Sequence, residues 1–190
     1  MKKRDIFVAL TVIILVLGSA VYLGTTTKLT QDVATTEVAQ TSSKLSDGEL
    51  LSLTEKIQKI TFLDESNKET RLADFTAKPS IVVFWASWCP DCQEQLPILA
   101  KLYKKYGNDV NFIFLNVVDG TRETKENGQK YLADNYQFAY YQDKDMVAAD
   151  SMEVNNIPTM FILNKERNVV SAFRSNQTDQ TLAEALEAVK

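Results

Sequence analysis

The feature that most constrains this chain is a pair of cysteines, Cys89 and Cys92, that stands between an apolar run and a helical pattern. The run Ile81–Trp85 is apolar throughout, which is typical of a strand buried on both faces of its sheet. After Cys92, apolar residues recur at helical spacing up to Gly107, and glycine commonly ends helices. Pro97 lies within this pattern and is expected to kink the helix. The segment therefore predicts a strand–turn–helix unit with both sulfurs at the start of the helix.

The number of cysteines limits what the pair can do. The chain contains two cysteines and no histidine. A structural zinc site takes about four ligands, so one C-x-x-C pair without histidine does not complete it. A disulfide framework usually spreads several pairs along a sequence. Structural zinc and a purely structural disulfide are therefore the weaker interpretations, and a redox-active pair is the favoured one. We expect no bound metal and no cofactor.

Thiol–disulfide exchange gives the two sulfurs different tasks. At a helix N-terminus, unpaired N–H groups and the helix dipole stabilise a thiolate, so Cys89 is expected to be the exposed sulfur that attacks or is attacked. Cys92, one turn further on, is expected to be shielded and to resolve the mixed disulfide. Pro90 suits the first helical turn because it needs no N–H partner there. For Asp91, a plain helix-start role and a role in tuning the pair both stay open.

The remaining patterns predict an α/β domain. They indicate short strands at residues 59–63 and 70–72, a buried strand at Val110–Val118, a helix at Thr121–Asn135 weakened by Gly128, a short helix near Met146–Met152, a hairpin of residues 160–163 and 169–173, and a final helix at Thr178–Val189. Strands that alternate with helices in this way imply a central mixed β-sheet with helices on both faces.

The start of the sequence predicts a membrane anchor. Three basic residues at positions 2–4 precede an apolar run at residues 6–23, which is close to the lower limit of the about 17–25 residues in a spanning helix. Basic residues favour the cytoplasmic side, so the rest of the chain would cross the membrane. A signal peptide cleaved near residues 18–20 is the alternative. We favour a single-pass cell-membrane protein with its catalytic domain on the extracytoplasmic side.

Residues 25–48 are rich in threonine and serine and lack a sustained apolar period, as flexible linkers do. The predicted organisation is an anchor at residues 1–24, a linker at 25–48 and a folded domain at 49–190. The formal net charge of the chain is −4. Because an acidic chain repels phosphates, no nucleic-acid partner is expected.

Two motifs resemble a known family. The segment Phe84–Cys92, followed by Pro97, resembles the active-site motif of the thioredoxin superfamily, and more closely that of its exported, membrane-tethered TlpA/ResA branch. The segment Val154–Phe161 resembles the cis-proline segment of the same superfamily. The Cys-Pro-Asp-Cys pair on a tethered domain also resembles the disulfide-forming oxidases of streptococci. These resemblances imply a thioredoxin-like fold, exchange with the thiols or disulfides of exported proteins, and a membrane redox partner that recycles the pair.

The resemblance also implies a set of supporting residues. The family's proline at the position of Pro158 is cis, which would leave the Ile157 backbone free to pair with an extended substrate segment. Thr159 completes the same motif. Of the two tryptophans near the pair, Trp88 is expected to contact substrate and Trp85 to pack in the core.

The chain departs from the family where a proton acceptor for the second cysteine usually stands. Val83 replaces the buried carboxylate of thioredoxin, and Gln95 replaces the glutamate of the TlpA/ResA branch. Glu94 is adjacent, but about 100° away around the helix, and is expected to be a surface charge. A reductase must deprotonate Cys92 in each cycle, so the missing acceptor favours a disulfide-forming oxidase.

Two other functions stay open. One is a thiol–disulfide reductase that serves cytochrome c maturation or supplies electrons to a surface repair enzyme. The other, from a different class, is a binding module or chaperone whose cysteine pair is only a staple. Refolding of reduced ribonuclease and reduction of insulin would separate the three.

Overall fold

In the computed structural model of the protein, the described part of the chain runs from residue 45 to residue 190. The predicted anchor at residues 1–24 and most of the predicted linker, residues 25–44, lie outside this part. Within residues 45–190, no helix is both long and apolar enough to cross a membrane.

Helices and short strands alternate along the described residues. The helices are α1 (Asp47–Ile57), α2 (Pro90–Tyr106), α3 (Lys125–Asn135), α4 (Val147–Ser151) and α5 (Asp179–Glu187), with a 3-10 turn at Leu72–Asp74. The strands are β1 (Thr61–Asp64), β2 (Glu69–Arg71), β3 (Ser80–Trp85), β4 (Asn111–Val118), β5 (Tyr140–Lys144), β6 (Thr159–Leu163) and β7 (Val169–Phe173). Each strand and helix predicted from the patterns has a counterpart here, with small shifts at the ends.

The seven strands form one mixed sheet in the order β2-β1-β5-β4-β3-β6-β7. β3, β4 and β5 run parallel to one another, and the other neighbouring pairs are antiparallel. Val83 of β3 lies opposite Phe114 of β4 on one side and Met160 of β6 on the other. The predicted central mixed sheet is confirmed, and the strand before the cysteines lies in its interior.

Helices cover both faces of the sheet, as predicted. Successive side chains of a strand point to opposite faces, and β3 divides accordingly. Ile81, Val83 and Trp85 pack in the core with side chains of α2, α3 and α5. Val82 and Phe84 pack on the other side with side chains of α1 and α4. Because neither face of β3 meets water, residues 81–85 are all apolar, and each gains from burial, about 1.5–3 kcal/mol for a large apolar side chain.

Helix α1 is not predicted by the sequence patterns. It begins at Asp47, inside the segment predicted as linker. A capping box closes its first turn: the Glu49 N–H donates to the Ser46 hydroxyl at 3.4 Å, and the Ser46 N–H donates to the Glu49 carboxylate at 2.8 Å. Leu53 and Ile57 then pack against the sheet. This contact stabilises a helix whose first residues have the composition of a linker.

Strand β5 is the second element without a prediction. Its sequence is polar, and its pairing with β4 and β1 places it inside the sheet. The buried Asp143 carboxylate accepts the N–H groups of Ala148 and Ala149 at 2.8 and 2.7 Å. Buried Gln142 donates to the Asn67 side chain at 2.8 Å. Tertiary pairing, and not local strand preference, therefore forms this strand.

Helix α3 begins later than predicted, at Lys125, with Thr124 as its N-cap. The preceding residues form a turn, because the Asp119 carboxylate accepts the N–H groups two and four residues further along at 2.7 and 3.0 Å. Such local side-chain bonds compete with helix formation. The turn 119–124 follows β4 and lies at the same sheet edge as the loop that follows β3.

Candidate active site

The cysteine pair lies at the carboxyl-terminal edge of the parallel strands. Cys89 is the N-cap of α2, and its sulfur accepts the N–H of Cys92 at 3.1 Å. Pro90 and Asp91 are the first two residues of the helix, and both are exposed. The predicted strand–turn–helix unit is confirmed. Cys89 occupies the position toward which the unpaired N–H groups of the helix point.

Cys89 is less accessible than expected, whereas Cys92 is shielded as expected. Cys89 is 4% exposed and Cys92 is fully buried, and both are free thiols. The expectation that Cys89 is an exposed sulfur is wrong. The Ile157 carbonyl packs against this sulfur and accepts a hydrogen bond from the Cys89 thiol at 3.4 Å. Cys89 is still the more accessible of the two.

The proline segment faces Cys89. The Ile157–Pro158 peptide bond is cis, as the resemblance implies. Pro158 and Thr159 are buried, and the Thr159 hydroxyl donates to the carbonyl of Asn156 at 2.6 Å. Within residues 45–190 the Ile157 N–H has no hydrogen-bond acceptor. One backbone donor beside Cys89 is therefore unpaired within the described domain.

The Cys92 thiol is hard to deprotonate. Burial raises its pKa well above the range of an ordinary cysteine, and the hydrogen bond with Cys89 and the charges of Cys89 and Asp91 act in the same direction. A hydrogen bond with the Ala86 backbone opposes this rise. Since the thiolate is the nucleophile, Cys92 attacks slowly unless a base accepts its proton.

The positions that carry such a base in the family hold neutral side chains here. Val83 is buried in β3, and Gln95 is 1% exposed in α2. The Gln95 side-chain carbonyl accepts the Gln177 N–H at 2.6 Å, while its amide nitrogen has no partner among the described residues. Glu94 is exposed, as expected, and its carboxylate accepts from Asn176 at 3.4 Å.

The two tryptophans differ in exposure as expected. Trp85 is fully buried, with its ring centroid 5.9 Å from that of Tyr131. Trp88 is 38% exposed. The Arg122 guanidinium carbon lies 3.4 Å from the centroid of the Trp88 ring, a cation–π contact. The Trp88 ring, next to Cys89 in sequence, is therefore held by Arg122 and partly exposed.

Three polar residues that the sequence analysis does not single out meet behind the cysteine loop. The fully buried Glu123 carboxylate accepts hydrogen bonds from Ser87 and from the fully buried Asn116. The sequence holds one signal, since Asn116 interrupts an apolar strand and a buried polar side chain needs a partner. Nothing local marks Glu123 as that partner, because it lies among the charged residues of the segment 119–126.

Comparison with known proteins gives a family and several relatives. The sequence profile of the thioredoxin-like family matches residues 77–169, which include β3, the cysteine pair and the proline segment. The thiol-disulfide oxidoreductase ResA of Bacillus subtilis is 25% identical over 128 residues, which are 67% of this chain and 70% of ResA. The thioredoxin-like protein YneN of the same organism is 26% identical over 124 residues, 64% of this chain and 71% of YneN.

Solved structures resemble the described domain. The structure of dsbF from MTB matches with a TM-score of 0.62 at 18% identity, over 71% of this chain and 97% of dsbF. StoA from Bacillus subtilis matches with a TM-score of 0.56 at 20% identity, over 66% of this chain and 94% of StoA. At these identities the likeness concerns the fold, which is thioredoxin-like. The resemblance to streptococcal disulfide-forming oxidases stays a prediction.

Proposed function

This chain belongs to the thioredoxin-like family, and we propose that it is an extracytoplasmic thiol–disulfide oxidoreductase that forms disulfides in exported proteins. The observation that carries the proposal is the geometry of the pair. Cys89 caps a helix and accepts the Cys92 N–H at 3.1 Å, so a thiolate on Cys89 has a donor in place. Cys92 follows one helical turn later, within reach for a disulfide between the two sulfurs.

The reaction proposed is a two-electron exchange. A substrate thiolate attacks Cys89 of the Cys89–Cys92 disulfide, which breaks the S–S bond and releases Cys92. The second substrate thiol then attacks the substrate sulfur of the mixed disulfide and releases Cys89. The substrate gains a disulfide, the pair becomes a dithiol, and the protons of the two substrate thiols are balanced by those on Cys89 and Cys92.

The surroundings of Cys92 support the oxidase direction. In reduction, Cys92 must attack the mixed disulfide, and burial raises its pKa while Gln95 offers no carboxylate to accept the proton. General-base help at such a step is typically worth about 10²–10⁴-fold. In oxidation, Cys92 is the leaving group, and its raised pKa slows departure too, but that step needs a hydrogen-bond donor and not a base. The missing base therefore handicaps reduction by this chain more than oxidation.

The surface beside Cys89 supports a polypeptide substrate. The Ile157 N–H has no partner within residues 45–190, so an extended segment could add a backbone hydrogen bond there. The exposed face of Trp88 would lie along apolar side chains of the same segment. These two features suit an unfolded or extended chain better than a small thiol.

The place of action rests on the sequence. The apolar run at residues 6–23 after a basic cluster predicts a single-pass anchor, and the linker would hold the domain away from the bilayer. On the extracytoplasmic side, a membrane redox partner would reoxidise the pair after each turnover.

Two assays on the purified full chain test the proposal. The oxidised protein should restore activity to reduced, unfolded ribonuclease at catalytic rates, and a Cys89→Ala variant should not. Faster reduction of insulin than oxidation of ribonuclease would overturn the oxidase direction and make the chain a reductase. If the parent is active in neither assay, the cysteine pair is a structural staple and the chain is a binding module or chaperone.

A further inference from the structure

A buried carboxylate lies behind the cysteine loop and takes no part in the exchange described above. Glu123 is 0% exposed. Its two oxygens accept three hydrogen bonds, from the Ser87 N–H at 3.1 Å, from the Ser87 hydroxyl at 2.7 Å and from the Asn116 amide at 2.8 Å. No ion pair to Glu123 is formed within residues 45–190. Burial of a carboxylate without a cation is costly, so these three donors must hold it there.

The main target of this carboxylate is Ser87, two residues before Cys89. Glu123 binds both the backbone N–H and the hydroxyl of Ser87. The Ser87 carbonyl accepts the side-chain amide of Gln93, in the first turns of α2, at 2.7 Å. All the polar groups of Ser87 are thus held by side chains from two other elements. This fixes the backbone of the loop 86–89 relative to the helix that Cys89 caps.

The neighbour of Glu123 holds the next residue of the same loop. Arg122 stacks on the ring of Trp88, so the turn 119–124 contacts residues 87 and 88 through two consecutive side chains. Asn116, which donates to Glu123, has two further partners. Its side-chain NH₂ donates to the Trp85 carbonyl at 3.3 Å, and its side-chain carbonyl accepts a hydrogen bond from the Tyr140 hydroxyl at 3.0 Å. The carboxylate is therefore backed by the strands β4 and β5.

We propose that Glu123 is a positioning residue for thiol–disulfide exchange, which fixes the Cys89 loop through Ser87. This role rests on the proposed function. The Cys89 sulfur must lie near the Cys92 N–H and the Ile157 carbonyl and in line with an incoming sulfur. A shift of the loop is therefore expected to lower the rate of exchange and to leave substrate affinity unchanged. A misplacement on the order of 1 Å is known to lower rates about 100-fold.

The test compares Glu123→Gln, Ser87→Ala and the double variant in ribonuclease oxidation by the full chain. Glutamine keeps the size of glutamate but turns an NH₂ group toward one of the donors. Tyr140→Phe is the matched control, because it removes a hydrogen bond at the far end of the same network without touching the loop. All rates are measured well below the unfolding temperature of each variant, as followed by circular dichroism.

The expected result is a kcat roughly 10- to 100-fold lower for Glu123→Gln, with KM within about twofold of the parent. Ser87→Ala should lower kcat in the same way, and the double variant should be no slower than the slower single variant, since both lose one interaction. Tyr140→Phe should lower the unfolding temperature and leave kcat unchanged.

Three outcomes would overturn the role of Glu123. The first is a folded Glu123→Gln variant with the kcat of the parent. The second is a double variant whose losses multiply, which would separate Glu123 from Ser87. The third is a Tyr140→Phe variant as slow as Glu123→Gln, because the loss of rate would then follow from lower stability and not from a shift of the Cys89 loop. A parent without turnover would instead overturn the proposed function, and this role with it.

Discussion

The proposed direction of exchange depends on Cys92 and Gln95. Cys92 is fully buried, and Gln95 lies one turn further along the same helix with its carbonyl bound to the Gln177 N–H. The Gln95 amide nitrogen has no partner in the described domain. A carboxylate of the same shape would keep the bond to Gln177 and replace an unpaired donor with a proton acceptor.

Gln95→Glu is therefore expected to raise the rate of insulin reduction about 10-fold or more, because it supplies a general base at the step in which Cys92 attacks. Ribonuclease oxidation should change little. Glu94→Gln serves as the control, since it removes an exposed carboxylate from the same helix and should alter neither rate. A parent that already reduces insulin as fast as Gln95→Glu would contradict the account of direction.

The raised pKa of Cys92 also predicts how stability depends on pH. An unfolded cysteine loses its proton near pH 8.5, whereas folded Cys92 keeps it to higher pH because it is buried. Above about pH 8.5 the unfolded state of the reduced protein binds fewer protons than the folded state, so its stability falls as pH rises, by up to about 1.4 kcal/mol per pH unit. Below that pH the effect vanishes.

The test is urea unfolding of the reduced parent and of reduced Cys92→Ala between pH 7.5 and 9.5. The contribution of Cys92 is the difference between the two proteins in how their free energy of unfolding changes with pH. Tyrosines begin to ionise at the upper end of this window, but they are the same in both proteins and cancel in the difference. The oxidised parent, which has no thiol to titrate, should lack the slope. Equal slopes for the parent and Cys92→Ala would mean that Cys92 is not held neutral by the fold.

At the scale of elements, helix α3 packs closely against strand β4 at Gly128, which lies against the side chain of Asn116. The sequence patterns treat Gly128 as a weak point of its helix, because glycine disfavours helices by about 1 kcal/mol. In the structure Gly128 is buried, and a Cβ added there would overlap the side-chain carbonyl of Asn116. The same Asn116 holds the Glu123 carboxylate.

Gly128→Ala is expected to lower the free energy of unfolding by about 1–3 kcal/mol, as overpacking of a core does, although alanine is the better helix former. Gly48→Ala is the matched control, because Gly48 lies in helix α1 with open space around its Cα. That change should raise stability by up to about 1 kcal/mol. Urea titrations of both variants measure the two effects, and a stabilising Gly128→Ala would contradict the packing described.

The elements differ in how far the sequence predicts them, for physical reasons. Residues 81–85 of β3 are predictable, because burial on both faces demands an apolar side chain at each of them. β5 is not, because its residues Gln142 and Asp143 are buried only through hydrogen bonds to distant partners. In the site, the spacing of Cys89 and Cys92 predicts their helix-start geometry. The contact of Glu123 with Ser87 joins residues 36 apart in sequence, and no local pattern contains it.

At the scale of the whole molecule, the fold brings separate segments to one sheet edge. The loops after β3 and β4 carry Cys89 and Glu123, and the segment before the antiparallel β6 brings Ile157 against the sulfur. The described helices pack on the two faces of the sheet. With the predicted anchor and linker, such an edge would reach exported chains while they still have free thiols.

The central claim is that Cys89 forms the mixed disulfide with other proteins and that Cys92 is its partner in the redox pair. The most direct measurement is the trapping of mixed disulfides in cell envelopes that contain the full chain with Cys92→Ala, analysed on non-reducing gels. Cys92→Ala should accumulate high-mass bands that disappear with reductant and that mass spectrometry links through Cys89, whereas Cys89→Ala should accumulate none. Bands with Cys89→Ala instead would reverse the two roles, and bands with neither variant would contradict the account.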